Sequence, residues 1–262
     1  MDVGTALVHV SIVKAFHRYA KAIKHFILLI IHPEQRLYHG IQFLSVTEGR
    51  SFERSFAAFH ATARGRHLLE TRPVASSILE DRLKLQAAAP RSLGRCYFEF
   101  MTSNGLDEGL YLGARAASTP QLEGDIERDW YRARIEGSHD VRHVLTGYGP
   151  EPLGEVCLLS FRFGQHRHPG LFMLTVLGCL HPKPKGRDSA FRAIVEAFRR
   201  GRNAALVDLL PWEEGLDMPL CVHRATLRLA PPKHYSSQVA PQAYSEFQPE
   251  FQRAKTLAES AA

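Results

Sequence analysis

Cysteine is scarce in this chain: Cys96, Cys157, Cys179 and Cys221 are the only four in 262 residues, they lie far apart, and they form no paired motif. That excludes a disulfide framework and a thiolate zinc knuckle, and the four read as reduced core residues of a reducing compartment. Long apolar runs are missing as well. The run FILLII is uninterrupted for only six residues, 26–31, whereas a helix that crosses a bilayer needs about 20. Lys14, Arg18, Lys21 and Lys24 sit inside the apolar segment 6–31 rather than ahead of it, so it does not look like a cleavable secretory signal. There is no alternating strand series, no internal repeat and no low-complexity tract. No aromatic-basic interleaving or other nucleic-acid signature appears, which sets nucleic acid aside as a partner.

What is present suits a folded protein with a sizeable core, since 45% of the residues are hydrophobic. Lysine and arginine exceed aspartate and glutamate by 33 to 27, a net charge of +6. Such a balance favours an anionic partner: a phosphate, a carboxylate substrate or an acidic lipid surface. The N-terminal segment 1–34 is expected to form an amphipathic helix. It either lies on a membrane with Phe16, Ile23, Phe26 and Ile27 toward acyl chains, or packs as an ordinary first core helix. Helical periodicity then dominates, over 51–69, 75–87, 95–103, 122–147, 153–164, 171–180, 187–202 and 217–229. Proline and glycine clusters punctuate these segments without making long linkers. The expected fold is therefore all-α: one helical domain over 35–235, followed by a polar, proline-dotted tail at 236–262.

The stretch SHDVRHVLTGYGPEPLGE, residues 138–155, concentrates the chemistry. With 122–145 read as one continuous helix, Glu136, His139, Asp140 and His143 share a face, while Val141, Val144 and Leu145 point the other way to pack. The glycine and proline turn after Gly147 lets a second helix return antiparallel, bringing Glu155 toward the histidines. Two imidazoles at i and i+4 with carboxylates from the same and the next helix give mixed nitrogen and oxygen ligation, suited to Zn²⁺ or another divalent first-row ion. A solvated polar helix face would show the same spacing, and only coordination geometry separates the two. Glu136 is a candidate proton relay and Arg142 a candidate bidentate clamp for a substrate carboxylate. Their bland alternatives are a surface acid and an intrahelical ion pair. His166 and His168 read as exposed. A helical phosphohydrolase, with His60 or Asp208 as further ligands, is a minor alternative.

The string His139, Asp140, His143 and Glu155, continued as HVLTGYGPEPLGE at 143–155, resembles the signature of the Coq4 family of ubiquinone (coenzyme Q) biosynthesis proteins. GRHLLETRP at 65–73, SLGRCYFEFM at 92–101, YRARIEGSHD at 131–140 and WEEGLDMPLCVHRATL at 212–227 resemble the same pattern in the same order. The likeness covers roughly 35–235. It implies an all-helical protein held peripherally at the membrane where quinones are made, with a divalent metal, zinc first, bound by His139, Asp140, His143 and Glu155. It further implies a carbon-carbon lyase that removes the C1 carboxyl of a polyprenylated 4-hydroxybenzoate, oxidatively if C1 is hydroxylated in the same step. The competing implication is a noncatalytic organiser that binds the prenyl lipid and docks other ubiquinone-biosynthesis enzymes around a structural metal. A second copy of the chain is a further candidate partner. The prenyl chain calls for a hydrophobic channel, with the helices at 153–164 and 171–180 as its expected walls. The absence of an arginine-rich, acid-poor leader leans toward a bacterial cytoplasmic membrane face; in a eukaryote the matrix side of the mitochondrial inner membrane is expected.

Overall fold

The computed structural model describes residues 3–32, 35–106, 124–180 and 187–236. Among them there are fourteen α-helices and no strand; the only β-type pairing is an isolated bridge between Ser92 and Pro219. In chain order the helices are α1 (Val3–Ile31), α2 (Arg36–Thr47), α3 (Gly49–His60), α4 (Ala63–Thr71), α5 (Ala75–Leu79), α6 (Arg82–Ala87) and α7 (Leu93–Ser103). They continue with α8 (Ile126–Gly137), α9 (His139–Thr146), α10 (Pro152–His166), α11 (Pro169–Leu180), α12 (Arg187–Asn203), α13 (Leu220–Thr226) and α14 (Lys233–Ser236).

Local chemistry sets the helix limits. Ser92, Asp125 and Glu151 accept backbone N–H bonds as side-chain N-caps of α7, α8 and α10, and α10 has proline in its first turn. The main core gathers Tyr97, Val141, Leu145, Leu158, Phe161, Ile194 and Trp212, so α9, α10 and α12 form its centre. A second cluster seats Phe52, Phe56 and Phe59 of the strongly amphipathic α3 on Tyr131 of α8. α1 and α2 make a hairpin closed by Ala22 and Phe43, with Leu174 of α11 beneath.

The helices expected over 51–69 and 75–87 each split in two, with Thr62 and Asp81 capping the second half, and three further expectations change. The continuous helix over 122–147 breaks at Ser138, whose hydroxyl bonds back to the Arg134 carbonyl at 2.7 Å, a contact that bends helices. Phe26 turns inward against Phe43 at 5.3 Å, whereas Phe16, Ile23 and Ile27 remain 76%, 60% and 49% exposed. The helix expected over 217–229 shortens to Leu220–Thr226, because Met218 and Leu216 give their carbonyls to Leu93 and Gly94. No helix among the described residues is long and apolar enough to cross a membrane. The expected tail lies outside the described residues, except Ser236, which closes α14.

Candidate metal centre

The eight-residue α9 is anchored by its buried Val141, Val144 and Leu145, which turns His139 and His143 to one side. Gly147 ends the helix with φ at +80°, a left-handed backbone that glycine adopts without a Cβ penalty, and its N–H bonds the His143 carbonyl at 2.8 Å. Glu151 starts α10 four residues later, so Glu155 sits in the first turn and faces back across the loop.

Three ligand atoms converge there. His139 Nε2 and His143 Nε2 are 3.2 Å apart, and the Glu155 carboxylate lies 3.2 Å from His143 Nε2 and 3.6 Å from His139 Nε2. Asp140 adds a carboxylate oxygen within 4.8 Å of the imidazole nitrogens. A tetrahedral ion with ligand bonds of about 2.0–2.1 Å has ligand-to-ligand edges of about 3.3 Å. The His139, His143 and Glu155 triangle has that size. The donor set, two imidazoles and carboxylates, fits a divalent first-row ion. The His143 side chain is 1% exposed, whereas those of His139 and Glu155 are 17% and 39% exposed, so the cluster opens on one side where water or substrate can enter.

The surroundings orient it. His143 Nδ1 lies 3.0 Å from the Tyr148 carbonyl; a carbonyl only accepts, so Nδ1 carries the proton and Nε2 offers its lone pair inward. Phe100 stacks on the same imidazole, ring centres 5.6 Å apart. The carbonyls at the end of α9 are capped by arginines from elsewhere: Arg224 donates to Val144 and Leu145, and Arg200 to Thr146. They satisfy orphan acceptors and oppose the negative end of the helix dipole. Tyr235 of α14 closes the loop, donating its hydroxyl to Glu151 Oε1 at 2.5 Å and accepting the Gly149 N–H at 2.7 Å. Burial raises the pKa of the Glu155 carboxyl, but bonds and charge from His139 and His143 outweigh it and hold the group below the usual range. Burial correspondingly lowers that of His143, and Glu155 more than restores it, so His143 titrates above its ordinary value.

Three sequence candidates go elsewhere. The Arg142 side chain is 1% exposed and donates to Asp208 Oδ1 at 2.6 Å and to the Ile135 carbonyl, so it is neither a substrate clamp nor an intrahelical ion pair. Asp208 also accepts from the Tyr131 hydroxyl at 2.8 Å, which identifies it as the counter-ion of a buried network rather than a phosphohydrolase ligand. Arg134 joins that network through the Asp208 and Leu210 carbonyls and pairs with buried Glu213. Glu136 stands beyond the Ser138 break, lining a cleft with Ser55, Arg162 and His166, and is not among the converging ligand atoms. His166 is largely buried, not exposed: its Nδ1 is 3.2 Å from Ser55 Oγ and its Nε2 is 3.6 Å from Asp208. The anticipated channel walls differ as well. α10 is filled by core contacts at Leu158 and Phe161, while α11 leaves Phe172, Met173, Val176 and Leu180 at 42–68% exposure on its outer side. Sequence reasoning missed Arg200, Arg224 and Tyr235. Arg224 falls in the quoted stretch 212–227, and nothing local marks the other two.

Fold and cluster together define an all-helical protein whose helix-turn-helix gathers His139, Asp140 and His143 into a group that could hold a metal ion. The chain belongs to the family described as coenzyme Q (ubiquinone) biosynthesis protein Coq4, whose profile it matches over residues 9–233. It is 29% identical over 172 residues to the mitochondrial ubiquinone biosynthesis protein COQ4 homolog of Rattus norvegicus, covering 65% of this chain and 63% of that protein. It is 31% identical over 156 residues to the mitochondrial ubiquinone biosynthesis protein coq4 of Botryotinia fuckeliana, covering 58% and 52%. The chain thus spans between half and two thirds of the length of these curated relatives. The crystal structure of a protein from Nostoc punctiforme shares the fold, with a TM-score of 0.61 at 16% identity over 80% of this chain and 97% of that one.

Proposed function

We propose that the protein acts in ubiquinone biosynthesis by removing the C1 carboxyl of a polyprenylated 4-hydroxybenzoate at a metal held by His139, Asp140, His143 and Glu155. The observation that carries this reading is the triangle of 3.2, 3.2 and 3.6 Å edges between His139, His143 and Glu155, open toward solvent on one side. Structural zinc sites are closed and thiolate-rich; catalytic ones keep an open position. A divalent ion held there, zinc first, would supply Lewis acidity for the oxygen on which charge develops as the ring loses aromaticity. His143, fixed by the Tyr148 carbonyl, keeps one lone pair turned to the site. Glu155, the most exposed of the histidine-facing groups, is placed to exchange protons with the substrate side. In the simple reaction a proton adds at C1, the bond from C1 to the carboxylate breaks, and carbon dioxide leaves. If C1 is hydroxylated in the same step, water supplies the hydroxyl oxygen, carbon dioxide leaves, and dioxygen takes the two electrons and two protons to leave as hydrogen peroxide.

α1 supports a peripheral place at a membrane surface. Phe16, Tyr19, Ile23, Ile27 and Ile30 line one exposed side, with Lys21 and Lys24 exposed beside them. The mitochondrial naming of the rat and fungal relatives favours a mitochondrial place over a bacterial membrane face. The exposed apolar side of α11 favours a second reading, a noncatalytic organiser that docks prenyl lipid or other ubiquinone-biosynthesis enzymes there.

The deciding experiment incubates the zinc-loaded protein with a short-chain prenylated 4-hydroxybenzoate, with and without oxygen, beside His143→Ala. Carbon dioxide released in proportion to bound metal and lost in the variant supports the lyase. Binding of metal and lipid with no carbon dioxide in either atmosphere defeats it and favours the organiser.

A further inference from the structure

A groove of about 520 Å³ runs between α12, the end of α13 and α14, away from the main core. Arg192, Arg199, Arg200, Arg228 and His234 line it, with Phe191 and Val195 at its apolar edge. Glu196 is its only acid, and both carboxylate oxygens are already engaged by the backbone N–H groups of Lys233 and His234, at 2.9 and 2.7 Å. Arg200 gives its hydrogen bonds to the carbonyls of Thr146 and Ala230 and forms no ion pair with a carboxylate among the described residues. Arg192, Arg199 and Arg228 are exposed and enter no ion pair among the described residues. Four guanidinium groups therefore surround one concavity with a single, occupied counter-charge.

We propose that this groove binds a phosphate-bearing group, with the guanidinium groups on the phosphate oxygens. Three features favour phosphate chemistry. Guanidinium groups match phosphate oxygens in paired, planar hydrogen bonds. The field inside a concave, single-sign groove concentrates multiply charged anions over singly charged ones. The exposed ring of Phe191, 57% accessible, gives the anionic end an apolar neighbour, which is the composition of an amphiphile's headgroup boundary. A free di- or polyphosphate and a phospholipid headgroup share this chemistry and differ in their need for Phe191. Arg200 ties the groove to the metal helix, since the same guanidinium that lines it caps Thr146 and lies over the Tyr148 ring at 5.0 Å. The inference does not depend on the reaction at the metal.

The test uses the full chain and two probes: inorganic pyrophosphate by titration calorimetry, and vesicles of phosphatidylcholine with 30 mol% phosphatidylglycerol (~30% anionic lipid, enough for a negative surface potential) by co-sedimentation. The vesicle arm is run in an Ile23→Asp background, so that α1 does not carry the signal. Arg192→Ala/Arg199→Ala is expected to weaken binding of the preferred probe by at least about tenfold, the equivalent of roughly 1.4 kcal/mol. Arg202→Ala, a basic residue of the same helix outside the groove lining, is expected to change it less than twofold. If Phe191→Ser weakens vesicle binding while pyrophosphate binds weakly or not at all, the source is a lipid headgroup. If pyrophosphate binds saturably and Phe191→Ser leaves it unchanged, the source is a soluble phosphate. The proposal is overturned if the parent chain saturates with neither probe, or if Arg202→Ala costs as much as the groove pair, which would mean diffuse surface charge.

Discussion

His143 donates its Nδ1 proton to the Tyr148 carbonyl five residues on, at 3.0 Å, and this one bond turns the opposite nitrogen toward His139 and Glu155. The turn after α9 therefore acts as part of the site, because a shift of Tyr148 would rotate the imidazole or change its tautomer.

Replacing His143 with alanine is expected to weaken zinc binding by more than about 100-fold, since loss of an outer partner alone typically costs about 10–100-fold. Competition with a chromophoric chelator measures it. Because the ligands must shed protons to bind the ion, apparent affinity in the parent should fall as pH is lowered below neutral. An affinity unchanged in His143→Ala would remove this residue from the ligand set.

Gly154 marks the closest approach of α10 to the turn: a Cβ there would lie 2.0 Å from the Gly149 carbonyl oxygen and 2.8 Å from its nitrogen. Backbone cannot yield as a side-chain tip can. Gly154→Ala should push the turn away and lower zinc affinity by about 10–100-fold, together with a drop in melting temperature. A variant with parental affinity and stability would show that the turn does not position the ligands.

Asp208→Asn should cost about 3–5 kcal/mol in denaturant unfolding, because it leaves the buried charge of Arg142 without its carboxylate partner. The double variant Arg142→Met/Asp208→Leu should recover part of that loss. If the double variant is as unstable as the sum of its parts, the network is not an electrostatic unit.

Burial first, then Arg142 and Arg162, hold the His166 pKa down at about 4 against the pull of Asp208. The native state thus keeps this imidazole neutral while the unfolded chain protonates it near pH 6.5. The unfolded state binds more protons in that window, so stability should decline as pH falls from about 6.5 to 4, by on the order of 3 kcal/mol from this group. His166→Gln should flatten the decline, and equal slopes for parent and variant would exclude His166 as its source.

Phe16→Asp/Ile23→Asp should reduce partition onto anionic vesicles by at least about tenfold, given roughly 1.5–3 kcal/mol for each apolar side chain withdrawn from water. Both side chains are exposed, so the fold should survive. Undiminished partition would place the membrane contact elsewhere.

Local patterns made the fold class and the ligand spacing legible. A 3.6-residue period needs no tertiary information, and the string from His139 to Glu155 is contained in one helix-turn-helix. The helix break was not legible, because it rests on a hydroxyl choosing the Arg134 carbonyl at a position that looks helical. Arg142 and His166 were misplaced for a different reason. Their common partner, Asp208, lies 66 and 42 positions away, and neither its burial nor its pairing leaves a mark near either residue.

The capping of α9 by Arg200 and Arg224, and the closing of its turn by Tyr235, also set an order of events during synthesis. The histidines leave the ribosome long before the side chains that hold their turn in place. A nascent chain halted before Tyr235 would carry all four candidate ligands and still lack the clasp between Gly149 and Glu151. The clasp on the turn therefore arrives with the last of the described helices, and if the cluster takes an ion, its uptake would report that α14 has docked.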